Sequence, residues 1–207
     1  MSKTNKWFGP VGGILFVAAV LVGNSIFDEL EVDPSDSASA VLEQFRVNSD
    51  NIQLAGFITV LGLGFLLVFV GHLRNRLREG GAGWAADGFL AGGVAVVAGW
   101  LVLIGVQMAG AVAGENGHSE VAQAANDFLW NSMFLFSPGL LAVGIAVAAA
   151  SFISRTLPIW LGVFGVVVAL GSLAPWLGVF VFVLWVLAAS IVELIGVFRP
   201  ATPTDVS

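Results

Sequence analysis

The sequence predicts an all-α membrane protein: a six-transmembrane-helix bundle, N-in/C-in, with a short amphipathic helix in its first outer loop. Three observations carry that expectation. The 207 residues are 57% hydrophobic and only 11% charged, against about 25% charged in ordinary soluble domains. The apolar residues fall into six runs, most of them near the ~20 residues needed to cross ~30 Å of hydrocarbon. The cations are segregated between alternate loops, as positive-inside threading requires. Composition also excludes other classes. A net charge of −6 argues against a nucleic-acid partner. Cysteine is absent, so disulfides, thiol chemistry and thiolate metal sites are excluded. Tyrosine is absent too, which leaves interfacial anchoring to seven tryptophans.

The chain reads as one transmembrane domain, 1–207, with spans at about 7–27, 53–73, 86–111, 128–152, 158–174 and 176–198. The first follows Lys3 and Lys6, which resemble the n-region of a signal peptide. Its apolar run is longer than an h-region and no A-x-A site follows, so it reads as a retained span. With the N-terminus inside, the inner side holds Lys3, Lys6, Arg74, Arg76, Arg78, Arg155 and Arg199, and the outer side only Arg46. Ten of the fourteen acids fall outside. An even number of spans returns the C-terminus to the inner side.

The outer loop 28–52 is the longest. Asp33-Pro34-Ser35-Asp36 reads as a helix start, with Asp33 as cap, Pro34 at the first helical position and Asp36 as the capping-box acid. Ala38, Val41, Leu42 and Phe45 recur at i, i+3, i+4, i+7. They predict an amphipathic helix over about 34–48 that either covers apolar surface or serves as a gate or partner-binding element. In the inner loop, Arg74 and Arg78 lie one turn apart, so span two projects past the membrane toward anionic headgroups. Gly80-Gly81 ends it.

Span three carries small residues four apart: Gly88 with Gly92, then Ala91, Ala95 and Gly99, then Gly110 with Gly114. Such stripes let backbones approach, and they predict the most buried helix of the bundle or a subunit interface. Span four contains Ser137-Pro138-Gly139. Proline there frees a backbone carbonyl and kinks the helix, either structurally or to open a small cavity. The fifth span is short and predicts an upright helix or a locally thinned bilayer. WLGVFGVV (160–167) and WLGVFVFV (176–183) echo each other, but a tryptophan opening a span is common and no duplication follows.

Few groups are left to carry chemistry. His72 and His118 fall on opposite sides of the membrane and cannot share a metal, and catalytic zinc takes three protein ligands. No nucleophile elbow and no P-loop occurs. The polar groups within the spans form two layers. Asn24, Gln53, Gln107 and Asn131 lie near the outer boundary, as interhelical glue or as the lining of a vestibule. His72, Asp87, Ser190 and Glu193 lie near the inner one. Glu193 sits roughly 8 Å above that boundary, from ~1.5 Å rise per residue. An acid there costs a few kcal/mol, roughly, unless paired, protonated or hydrated. Arg199, about 240° round the helix, is a poor same-face partner. Arg74 and His72 on span two match it in depth, and Ser190 is one turn back. Glu193 is thus a structural tie between spans six and two, or a proton- or cation-handling carboxylate.

The basic N-terminus before KWFGPVGGILFVAAVL, the stretch DPSDSASAVLEQFRVNSDNIQLAGFITVLGLGFLLVFVGHLRNRLR and the hairpin LPIWLGVFGVVVALGSL together resemble a large bacterial family of six-span membrane proteins of unknown function. The resemblance covers most of the chain. It implies the bacterial inner membrane and supplies no catalytic residues. The expectation is a non-enzymatic protein with a structural, interaction or small-molecule-binding role. The alternative is an oligomeric channel or a small-solute or proton-coupled transporter using Glu193. The expected partners are the lipid bilayer and either further copies of the chain or a membrane subunit, with no nucleic acid, cofactor or metal.

Overall fold

A computed structural model of the chain describes residues 7–27, 33 and 35–198. Lys3, Lys6, Asp28, Glu29, Glu31, Pro34 and Arg199, on which part of the charge and capping reading rests, lie outside the described residues. Every regular element among those described is helical: α1 (Phe8–Phe27), α2 (Ala38–Val47), α3 (Ser49–Glu79), α4 (Gly83–Asn116), α5 (Ser119–Asn131), a 3-10 segment (Ser132–Phe136), α6 (Ser137–Phe152), α7 (Ile159–Gly171) and α8 (Pro175–Phe198). Five helical segments are long and apolar enough to cross a membrane: α1, α3, α4, the run α5 to α6, and α8. The expected fifth span, α7, has 13 residues, which at 1.5 Å per residue is roughly 20 Å and short of the ~30 Å core.

The helices close a ring in chain order. α1 packs on α3, α3 on α4, α4 on α6, α6 on α7, α7 on α8, and α8 returns to α1. Short connections force neighbours to run antiparallel. Inside the ring lie the fully buried Phe16, Leu66, Phe69, Phe89, Phe182 and Trp185. Large apolar side chains also stand on the outward faces, such as Leu54, Phe57 and Leu61 on α3 and Leu177 and Phe180 on α8. An apolar exterior of that extent marks a surface made for lipid or protein rather than water.

One motif ends both long helices. At the end of α3, Ala82 N–H bonds the Leu77 carbonyl at 2.9 Å and Gly81 N–H bonds that of Arg78 at 3.0 Å. At the end of α4, His118 N–H bonds the Ala113 carbonyl at 2.9 Å and Gly117 N–H bonds that of Gly114 at 3.3 Å. These are Schellman pairs, and they need a left-handed residue. Gly81 (φ 84°) and Gly117 (φ 75°) supply it.

The expected helix over 34–48 is shorter and starts later. Ser37 is its cap, accepting from Ala40 N–H at 3.4 Å. Asp36 makes its half of the expected capping box, accepting from Asp33 N–H at 2.8 Å, but the Asp33 carboxylate accepts from Ser35 N–H at 2.9 Å rather than from Asp36. That turn is not continued, because Ser37 is extended (ψ 149°). Asp and Ser side chains compete with helix for backbone donors, and here they close a separate turn. Val41 and Phe45 of α2 are buried with Ala111 of α4 and Ala122 of α5. A Cβ on Gly110 would strike the Phe45 ring, and one on Gly114 the Arg46 backbone. α2 is therefore pressed onto α4 at what we term the capped end of the bundle.

α4 is not the most buried helix, contrary to the expectation from its small-residue stripes; it is buried no more than α1, α3 or α8. Two of the stripes meet a helix, Gly110 with Gly114 against α2 and Gly92 against α6. Gly92 abuts Gly139 of α6, where a Cβ on either would come within 2.8 Å of the other's carbonyl oxygen. Ala91 is exposed and Ala95 half-buried, because a stripe one position round the helix turns toward the exterior.

Pro138 acts as its chemistry requires. It cannot donate to the carbonyl four residues back, and the chain on its N-terminal side tightens into the 3-10 segment. Ser137 Oγ then donates to the Ser172 carbonyl at 2.7 Å, tying α6 to the end of α7.

Candidate functional site

The run HLRNRLR at the end of α3 places His72, Arg74, Arg76 and Arg78 two residues apart. Each step of two turns about 200° round a helix, so alternate members share a face. His72 and Arg76 face α8. Arg76 Nε lies 2.7 Å from Glu193 Oε1, and His72 Nε2 lies 3.7 Å from Glu193 Oε2. Arg74 and Arg78 face α4. Asp87 accepts from Arg74 at 3.1 and 3.2 Å and from Arg78 at 2.9 and 3.1 Å. The arginine that reaches Glu193 is therefore Arg76, not the expected Arg74. Its signal was legible: it stands one turn after His72.

Glu193 is 5% exposed and Ser190, one turn back, is fully buried. Ser190 and His72 sit beneath α1. A Cβ on Gly9 would collide with the His72 ring, and a Cβ on Gly13 with Ser190 Oγ. Only glycine lets α1 lie this close, so the glycine-rich start of the chain covers the polar groups of α3 and α8. Two buried atoms in this cluster, His72 Nε2 and Ser190 Oγ, have no hydrogen-bond partner among the described residues. Asp87, by contrast, belongs to the surface.

The four amides expected near the outer boundary do not form one layer. Gln53 Nε2 bonds Ser49 Oγ at 3.2 Å and Glu115 Oε1 at 3.3 Å, and Ser49 Oγ also donates to Glu115, tying α3 to α4. Asn131 bonds back to the Asp127 carbonyl of its own helix at 2.8 Å. Asn24 and Gln107 instead line a cavity of about 330 Å³ between α1, α3, α4, α8 and the 3-10 segment. Trp100, Gln107 and Leu103 present one face of α4 to it, Asn24 and Val20 one face of α1, and Met133 and Phe136 come from the 3-10 segment. Its far end is aromatic: Trp100 packs edge-on against Phe16 at 5.6 Å and Phe136 at 5.4 Å. Sequence reasoning found the two amides but not that Trp100 and Thr59 share their cavity, since membership depends on which helix faces meet, and Pro138 does not line it.

Among the described residues no three His, Cys, Asp or Glu side chains gather as a metal site. At the capped end, the Glu43 carboxyl is held below its ordinary range by hydrogen bonds from the Arg46 guanidinium. Asp33 is lowered by the hydroxyl and backbone N–H of Ser35. Comparison with protein-family models, with curated proteins and with solved structures finds no match for the chain.

Proposed function

We propose that the chain is a non-enzymatic, multi-pass membrane protein that binds a small molecule within its helix ring. The observation that carries this reading is the cavity of about 330 Å³ beside Asn24 and Gln107. It is within the size range of small-molecule sites, roughly 300–1,000 Å³, and it pairs an apolar wall with a few polar groups, as such sites do. The proposed topology has six spans, with both termini on the cytoplasmic side of a bacterial inner membrane. The closed ring supports counting α7 as a span in a thinned bilayer. The gathering of Arg74, Arg76, Arg78 and Arg155 at one end and acids at the other supports the orientation.

The test uses the absence of cysteine. Thr59→Cys puts one thiol in the cavity, and Gly196→Cys puts one where no neighbour lies within 4 Å. A lipid extract of the host membrane should slow the reaction of a small uncharged maleimide with the first thiol and leave the second unchanged. Equal rates at both sites with and without extract reject the reading.

A second reading is a channel or proton-coupled carrier using Glu193, alone or in an oligomer. It is favoured by two buried atoms beside that carboxylate, His72 Nε2 and Ser190 Oγ, that make no hydrogen bond among the described residues. The tie to Arg76 and the lack of a second acid in the ring interior among the described residues weigh against it. Proton flux in proteoliposomes, lost in Glu193→Gln with the fold intact, is what that reading requires.

A further inference from the structure

We propose that the cavity takes a neutral, single-chain amphipathic molecule, with its hydrogen-bonding head held by the Asn24 and Gln107 amides and its apolar part against Trp100 and Phe136. This rests on the small-molecule reading above and names the ligand class. Three features of the cavity point to it.

The first is polarity. Along α4 the cavity lining passes from amide to aromatic, and Trp176 at the start of α8 lines it as well. Asn24 and Gln107 lie toward the capped end, and Trp100 lies two turns down α4 from Gln107, roughly 10 Å away. The ligand is then polar at one end and apolar at the other, and about that long.

The second is charge. No charged side chain among the described residues lines the cavity. An ionic head would enter without a counter-charge, which costs far more than burying a hydrogen-bonded neutral group.

The third is hydrogen-bonding capacity that the protein does not use. Asn24 is exposed and Gln107 half-buried, and their amides make no side-chain hydrogen bond among the described residues, whereas Gln53 and Asn131, in the same predicted layer, are both bonded. Each free amide offers donors and an acceptor, which suits a hydroxyl, carbonyl or amide head. Thr59, the third polar lining residue, spends its hydroxyl on the Ala55 carbonyl at 2.8 Å. The volume of about 330 Å³ is near the lower limit of small-molecule sites, roughly 300 Å³, so the occupant is a single chain or ring and not a two-chain lipid.

The test uses the full chain in nanodiscs of zwitterionic lipid and three photoreactive probes with one diazirine-bearing octyl chain: the alcohol, the carboxylate and the ammonium. Adducts are mapped by mass spectrometry. The alcohol should label lining residues such as Met133, and unmodified octanol should compete it away. Both charged probes should label them about tenfold less, because the uncharged wall cannot compensate a buried ion. Equal labelling by the three, or a preference for a charged probe, overturns this inference but leaves a small-molecule site. Labelling confined to outward-facing residues, for all probes, overturns both. The wild-type comparison decides without a variant. Gln107→Glu adds an independent check: the preference should move toward the ammonium probe, and an unchanged preference shows that the head does not sit at Gln107.

Discussion

Two carboxylates stand at the same end of the bundle and face the same helix, yet they live in different media. The Asp87 side chain is 51% exposed and shares two arginines, Arg74 and Arg78. The Glu193 side chain is 6% exposed and relies on Arg76, with His72 beside it. Both contacts are short, so distance does not separate them. Burial does. A surface pair exchanges water for a partner and gains about 0–1 kcal/mol. A buried carboxylate has already lost its water, so its partner cannot be removed without leaving an uncompensated charge. The fewer partners belong to the group that needs them more.

Breaking that comparison at its buried side should give the largest effect. Arg76→Met is expected to destabilise the protein by about 2–3 kcal/mol, below the usual range for a fully buried pair because Arg76 is itself half-exposed. Adding Glu193→Gln should recover part of that loss, read as a lower melting temperature in detergent for the single variant than for the double. A single variant no worse than the double would remove the case for a buried tie. The glycine cover should come next. Gly13→Val pushes α1 off Ser190 and the Phe69 ring, at about 1–3 kcal/mol for an overpacked contact; Gly196→Val, which meets no neighbour within 4 Å, is the control and should change little.

The exposed side should respond less. Asp87→Asn is expected to lower the melting temperature less than Arg76→Met, and that small loss should shrink in high salt. A loss equal to that of Arg76→Met would mean that exposure does not set the ranking. The smallest effect is expected at the capped end. Glu43 has a lowered folded-state pKa because Arg46 bonds its carboxylate. Its contribution is therefore present above the ordinary carboxylate range and lost as pH falls through the lowered folded value. Acid should loosen α2 slightly, visible in its amide chemical shifts, and Glu43→Gln should flatten that response.

These elements show how far a sequence can be read. The helical spans were legible as apolar runs and the end of α3 as a glycine pair after a helical period, whereas α4 runs past the expected 111 to Asn116, where Gly117 ends it. The α2 helix was legible in Val41 and Phe45, but not its start, because Asp33 and Ser37 are both good caps and only the extended backbone at Ser37 decides between them. Glu193 announced itself by standing alone among apolar residues. Its arginine was legible only through His72: Arg74 and Arg76 are nearly opposite in direction, and Arg76 stands one turn after the histidine that shares the carboxylate.

By itself the sequence determined what is local and periodic: all-helical segments, the segregation of charge, and the pairing of His72 with Arg76 on one face and of Arg74 with Arg78 on another. Only the tertiary structure decided which of those faces meets α8 and which meets α4, that Gly9 and Gly13 cover the buried cluster, and that Asn24 and Gln107 converge on one cavity while Gln53 and Asn131 do not. Helical period sets the direction of a side chain relative to its own axis; what stands in that direction depends on how the axes are arranged, and that follows from the packing of every helix in the ring at once.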